Sequence, residues 1–382
     1  MTAVLRLVQA EQFKEEIEIP AASSSGIQDS HSLQGALQYC SPWSPFIARY
    51  VVDRFSKPGE RVLDPMCGAG TVGVEALLMG RNFIGASSDH TLVSLAECRI
   101  RPADLAEVAL RLQFIPFKRP VNVASFVEPF PNYFHVATFR ELVNAKTSLK
   151  QATDRASGFI NFIITSILHG HTTGHLSAYT SPSEALSATA QSRLNGKRGE
   201  IPSYRALSPR ILKKAAQLLQ DGVSSNLSEA SSLEREVVHG HPNVLDSVQG
   251  SSVDLAVLGL NQPGFFEHGT HSWLRNWWIG LDDRQVAERP ANLSVWKGET
   301  NETLLEMARL VRGGGRVVLR VGCGRIGTER INYRAQIESI VNECLGSFWR
   351  IEGSLAERHV GGKKTRSSSV DDSAELLVLR RH

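Results

Sequence analysis

The chain has 382 residues, of which 42% are hydrophobic and 21% charged, with a formal net charge of +3. This ordinary globular usage excludes a fibrous or wholly disordered chain, and the small net charge means that any basic surface has to be local. No apolar run reaches the ~18 residues of a membrane helix, and the N-terminus turns acidic where a secretory signal needs its apolar stretch. The five cysteines, Cys40, Cys67, Cys98, Cys323 and Cys344, form no CxxC pair, which argues against a disulfide scaffold or a zinc ribbon. The expectation is a soluble, cytoplasmic protein with reduced thiols.

Residues 1–35 read as a peripheral N-terminal segment ending in the Ser-rich linker AASSSGIQDS. In SPWSPFIARYVVDRF the apolar residues Phe46, Ile47, Tyr50, Val51 and Phe55 follow helical spacing, with Ser44 as N-cap and Pro45 at the first helical position. Lys57-Pro58-Gly59 ends that helix. Residues 61–87 read strand, glycine-rich turn, helix and strand, with Gly80 closing the helix, which is a βαβ unit and predicts a parallel sheet. FINFIITSIL (159–168) is an apolar helix or a buried strand. The stretch 180–236 is Ser- and Ala-rich and collects Arg193, Lys197, Arg198, Arg205, Arg210, Lys213 and Lys214. Strand character returns in SVDLAVLGL (252–260), followed by a helix over 302–311, a turn at Arg312-Gly313-Gly314-Gly315, and strands at 316–322, 347–354 and 375–381. The fold class is therefore α/β, a doubly wound sheet interrupted by a mainly helical insertion. Its boundaries are a first half at 36–139, an insertion at 140–236 and a second half at 237–382.

The strongest local signal is Asp64-Pro65-Met66-Cys67-Gly68-Ala69-Gly70-Thr71 at a strand-to-helix turn. Glycines there let a backbone approach a ligand, and the helix N-terminus offers free N–H groups. Such turns hold dinucleotides, phosphates or adenosyl cofactors, but the spacing is neither GxGxxG nor GxxxxGK[ST]. Without further residues an ordinary tight turn of an α/β fold explains it equally well.

The wider string KPGERVLDPMCGAGTVGVEALLMGRNFIG resembles the cofactor-binding region of S-adenosylmethionine-dependent amino-methyltransferases that act on DNA, the cytosine-N4 and adenine-N6 type. SILHGHTTGHLSAYT, SSVDLAVLGL, HSWLRNWWIGLD, LVRGGGRVVLRVG and ELLVLRR resemble further segments of that family, in its order. The resemblance implies a Rossmann-like methyltransferase sheet, S-adenosylmethionine as cofactor, double-stranded DNA as substrate, and the insertion as target-recognition region. It also raises a restriction–modification setting and a homo- or heterodimer partner subunit. By the same resemblance Asp64, Met66, Gly68, Gly70 and Thr71 would line the methionine end of the cofactor.

Three places depart from the family pattern. Where an acid should hold the ribose hydroxyls stands Ser87, with Asp89 two residues late. Where a Gly-Asp step should meet the adenine stands Gly240-His241. The catalytic tetrapeptide [DNS]PP[FYW] falls on Gly259-Leu260-Asn261-Gln262, or, slid by two residues, on Asn261-Gln262-Pro263-Gly264. An exocyclic amine is a poor nucleophile until hydrogen-bond acceptors localise its lone pair and an aromatic side chain holds the flipped base. Asn261 is the remaining candidate acceptor and Phe265 the candidate stacking group. Two readings stay open: a methyltransferase with a weakened site, or a non-catalytic DNA- or partner-binding protein on the same scaffold.

Other candidates are weaker. His169, His171 and His175, and the pair His239 and His241, lack the cysteine or carboxylate partners of a zinc site and read as polar loop. Trp273, Trp277 and Trp278 read as a core or partner-facing stripe. The basic residues at 193–214 are either phosphate contacts or a solvated helix face.

Overall fold

A computed structural model describes residues 12–20, 30–37, 42–88, 90–122, 124–150, 152–182, 185–262, 273–280, 292–326, 328–360 and 374–382. The chain divides into two units. One comprises residues 25–242 and 268–288, and the other residues 1–24, 243–267 and 289–382.

In the first unit, helix α1 (Pro45–Phe55) begins where Ser44 Oγ accepts from the Ile47 N–H, as the Ser-Pro start predicts. The βαβ unit follows: β2 (Arg61–Asp64), α2 (Thr71–Leu78) and β3 (Asn82–Ser87), with β2 and β3 parallel in the register Asp64↔Gly85. Helix α3 (His90–Ile100) and α4 (Leu105–Gln113) come next, and Asp104 caps the N-terminus of α4 with a capping box to Glu107. Strand β4 (Arg235–His239) runs parallel to β3 with Ser87 opposite His239. Strands β2 and β3 are almost wholly apolar inside, with Val62, Leu63 and Phe83 fully buried, as expected of a parallel sheet covered on its faces.

The string Gly80-Arg81 has a structural reason. Gly80 sits at φ +76° just past the end of α2, a conformation that favours glycine. Arg81, 4% exposed, donates to Ser56 Oγ, the Ser56 carbonyl and the Met79 carbonyl, tying the end of α1 to the end of α2.

Between α4 and β4 the chain is helical: α5 (Val136–Lys150), α6 (Arg155–Ile167), α7 (Ala188–Arg198) and α8 (Leu207–Leu218). FINFIITSIL thus resolves to a helix whose apolar residues are buried nearly all round. Helix α9 (Trp273–Ile279) belongs to the same unit.

The second unit holds β1 (Phe13–Pro20), β5 (Val253–Leu258), α10 (Leu293–Leu310), β6 (Val311–Val321), α11 (Tyr333–Ile340), β9 (Trp349–Val360) and β10 (Glu375–Arg381). A small hairpin of β7 (Cys323–Ile326) and β8 (Glu329–Asn332) follows β6. The order is β5-β6-β10-β9-β1, parallel between β5 and β6 and between β9 and β1, with β10 antiparallel to both its neighbours. The glycine turn after α10 is built into β6. Val253 pairs with Val311 and Leu255 with Arg316, so Arg312 to Gly315 bulge out, Gly314 at φ +78°.

The N-terminal segment differs from its reading as peripheral. Ile17 and Ile19 are 3% and 1% exposed while Glu16 and Glu18 face outward, the alternation of a strand with one buried face. Leu33 and Gln34 are also fully buried.

Candidate functional site

The loop between β2 and α2 is built from backbone that only glycine adopts easily and from side chains that hold it in shape. Gly68 and Gly70 lie at φ +51° and +80°. A Cβ on Gly70 would stand 3.4 Å from Ala96, and one on Gly73 would enter the Phe83 ring at 2.5 Å. The Gly70 N–H donates to the Cys67 carbonyl at 2.8 Å and the Cys67 N–H to the Ala86 carbonyl at 2.9 Å. Asp64, at the end of β2, is 1% exposed, and its Oδ1 accepts from the Met66 N–H at 3.1 Å. Burial pushes its carboxyl up to about 7 against that single hydrogen bond. Burial, with Asp64 beside it, also lifts the Cys67 thiol well above the ordinary range, so this cysteine is an inert wall.

A buried polar brace that sequence reasoning missed stands behind the loop. Arg99, fully buried on α3, donates to the Ala69 carbonyl at 3.0 Å, to Thr71 Oγ1 at 3.3 Å, to Gln34 Oε1 at 2.5 Å and to the Leu33 carbonyl at 3.3 Å. Gln34 in turn donates to the Thr71 carbonyl at 3.0 Å and to Glu75 Oε1 at 2.8 Å. Arg99, Gln34 and Glu75 lie far apart in sequence, and nothing in a one-dimensional pattern links them. Thr71, itself 1% exposed and expected to line the cofactor, is therefore a brace of the loop.

Of the other expected cofactor residues, Met66 is the half-exposed member of the loop. Asp89 lies outside the described residues. Ser87 is buried at the end of β3, its carbonyl accepting from the Gly240 N–H at 3.0 Å, and His241 is exposed beyond β4.

The expected catalytic stretch is a separate matter. Asn261, just past β5, is half-buried, and its carbonyl accepts from Trp296 Nε1. Gln262 is fully buried and fastens to β6: its Nε2 donates to the Arg320 carbonyl at 2.7 Å and its Oε1 accepts from the Gly322 N–H at 3.1 Å. Leu260 is also buried. In the ungapped alignment Gln262 stands where the stacking aromatic belongs, and its side chain is spent on the neighbouring strand. Phe265 lies outside the described residues.

The histidines and tryptophans are largely structural. His169, read as polar loop, is a core histidine: it is fully buried, contacts the Ser181 carbonyl through Nδ1 at 3.0 Å, and is driven down to about 3 by burial, then by the Arg275 guanidinium. Among the described residues no group of three or more His, Cys, Asp or Glu could hold a metal. Trp273 donates to the Leu186 carbonyl, Trp277 stacks on Phe139 with ring centroids 5.6 Å apart, and Trp278 donates to Asn161, so the stripe packs inside its own unit.

The basic cluster splits in two. Arg205 donates to the carbonyls of His175 and Ser177, and Lys214 to the Gly35 carbonyl at 2.8 Å. Arg193, Lys197 and Arg198 are exposed on α7, Arg198 over the Tyr179 ring at 3.8 Å.

Comparison with known proteins falls on the region of the glycine loop. Residues 23–97 match the DNA methylase family. A stretch of 72 residues is 38% identical to the Type II methyltransferase M.HinfI of Haemophilus influenzae, covering 18% of this chain and 20% of that protein. This chain therefore spans only a fifth of the curated relative in that match. Among solved structures, TrmN from Thermus thermophilus aligns at TM-score 0.37 and 11% identity over 92% of this chain and 52% of that one. A TehB-like SAM-dependent methyltransferase from Corynebacterium glutamicum aligns at TM-score 0.33 and 9% identity over 94% and 93%. No helix among the described residues is long and apolar enough to cross a membrane. The stretch carrying the braced glycine loop is thus similar to DNA methylases, a family whose cofactor is S-adenosylmethionine.

Proposed function

We propose that the chain transfers a methyl group from S-adenosylmethionine to an exocyclic amino group of cytosine or adenine in double-stranded DNA, with activity weakened by its changed catalytic stretch. The observation that carries this reading is the loop after β2, within the stretch that matches DNA methylases. Its residues fit the cofactor: two glycines at positive φ put no side chain on the loop there, and a buried carboxyl stands at the strand end. Asp64, Met66, Gly68, Gly70 and Thr71 would hold it, with Asp89 as a displaced ribose contact. When bound, S-adenosylmethionine supplies a methyl group activated by a positively charged sulfur. Asp64 would accept from the cofactor's ammonium, and Arg99 would keep the loop from collapsing. Asn261 would orient the target amine through its amide oxygen, with Phe265 as the stacking group.

Calorimetric titration with S-adenosylmethionine tests the first half. Binding should be weak, because Ser87 and His241 stand where acids belong and each lost charge-assisted hydrogen bond is worth about 1.5–3 kcal/mol. Tritiated methyl transfer to mixed-sequence duplex DNA tests the second half. Asn261→Ala should abolish transfer and leave cofactor binding unchanged; unchanged transfer removes Asn261 from the site.

The commitment of the Gln262 side chain to β6 favours a second reading, a non-catalytic DNA- or partner-binding protein, as in the degenerate half of a dimer. It predicts that the wild type binds DNA and transfers no methyl group at any enzyme concentration.

A further inference from the structure

We propose that a cavity bordered by α5, α6 and α9 is an oxyanion site that takes a phosphate group. The cavity has a volume of about 230 Å³ and is lined by Lys146, Leu149, Lys150, Asn161, Trp278 and Ile279. That is several times the ~30 Å³ share of a liquid water, enough for a phosphate together with part of its ester.

Its polar side chains, Lys146, Lys150 and Asn161, all carry N–H donors. Lys146 Nζ is held against the Trp277 carbonyl and lies 4.6 Å from the centre of the Trp277 ring, so it is anchored by a neutral acceptor and a π face. Neither Lys146 nor Lys150 makes an ion pair among the described residues, and no lining residue is acidic. Burial, and the charge of Lys150 nearby, hold the Lys146 ammonium below its ordinary range, the mark of two cations sharing a half-enclosed space. Asn161 is oriented by its neighbour: Trp278 Nε1 donates to its Oδ1 at 2.8 Å, which leaves the amide Nδ2 hydrogens as its donors at the cavity wall.

Two ammonium groups and an amide N–H₂, with no acceptor side chain beyond the Oδ1 already used, match the several lone pairs of a phosphate. Leu149, Trp278 and Ile279 supply an apolar wall for the remainder of the ester. A DNA backbone phosphate and a free phosphate or nucleotide share this chemistry. The DNA source rests on the methyltransferase reading, whereas the oxyanion site itself stands without it.

The test uses the full chain and two probes, inorganic phosphate and mixed-sequence duplex DNA, each titrated calorimetrically into the wild type, Lys150→Glu, and Lys146→Gln combined with Lys150→Gln. Lys150 is exposed on α5, so Lys150→Glu should leave thermal unfolding unchanged and serves as the variant that cannot fail merely by unfolding. We expect phosphate affinity to fall tenfold or more in both variants. A parallel drop in DNA affinity, with a smaller salt slope by about one unit per lost contact, identifies the backbone phosphate as the ligand. A loss seen with inorganic phosphate alone identifies a free anion. Unchanged affinity for both probes in both variants overturns the proposal. S-adenosylmethionine titrated into the same samples keeps the two hypotheses apart. If the wild type fails to bind it, the function proposed above fails, while a phosphate affinity lost in Lys150→Glu still supports the oxyanion site.

Discussion

The loop after β2 and the end of β5 differ in what their polar side chains are used for. At the loop, polar groups from Gln34, Thr71, Glu75 and Arg99 converge behind the glycine backbone and hold it in shape. At the end of β5, Gln262 turns inward and clamps β6, so the same kind of group is consumed by the fold. On the function proposed above, the loop keeps its cofactor site because its structural hydrogen bonds come from outside it, and the end of β5 is weakened because Gln262 is recruited into packing.

The largest way to break this contrast is Arg99→Met. It removes a buried cation and leaves the acceptors on Ala69, Thr71, Gln34 and Leu33 short of a donor. The expected loss is about 3–5 kcal/mol, read by chemical denaturation, together with loss of S-adenosylmethionine binding. A stability change below about 1 kcal/mol would show that the loop holds its shape without the brace.

Gln262→Ala should cost less, about 1–3 kcal/mol, since the Arg320 carbonyl and the Gly322 N–H are left unsatisfied. Cofactor affinity should not change. Gln262→Phe sharpens the point: restoring an aromatic there should destabilise the protein without raising methyl transfer, because the side chain cannot both clamp β6 and stack on a base.

The pH dependence comes next. Asp64 titrates near 3.8 when unfolded and near 7 when folded. The folded state therefore binds more protons between those values, so this group's stabilising contribution is full below pH about 4 and is lost as pH rises to about 7. His169 runs the other way, from 6.5 unfolded to about 3 folded, so its contribution is present above pH about 6.5 and lost on acidification. The two slopes oppose each other, and Asp64→Asn should unmask the histidine as a steeper acid loss in thermal unfolding. Cofactor affinity should rise through about pH 7 in the wild type as the Asp64 carboxylate forms, and this rise should vanish in Asp64→Asn.

The smallest effects belong to the exposed face of α7. Replacing Arg193, Lys197 and Arg198 with alanine should change stability by less than about 0.5 kcal/mol each. Each should flatten the salt dependence of DNA binding by about one unit where it contacts a phosphate. Arg205→Ala, by contrast, should destabilise the fold, because it holds two backbone carbonyls.

Much of the fold was readable because its cues are local. The Ser44-Pro45 start of α1, the Gly80 stop of α2 and the apolar runs of β2, β3 and β5 each depend on residues a few positions apart. β1 escaped notice because only Ile17 and Ile19 carry its buried face, between acidic residues that suggested a tail. His169 looked like part of a polar loop because its surroundings come from distant segments, among them the charge of Arg275.

By itself the sequence determined the glycine loop, the strands that flank it and the resemblance of that region to DNA methylases, since backbone conformation and short motifs are set by neighbours along the chain. Which polar residues support and which are spent was decided only by tertiary structure. Arg99 and Gln34 meet across 65 positions, and Gln262 and Arg320 across 58. A buried donor takes whatever acceptor packing brings to it, and no spacing rule encodes that choice.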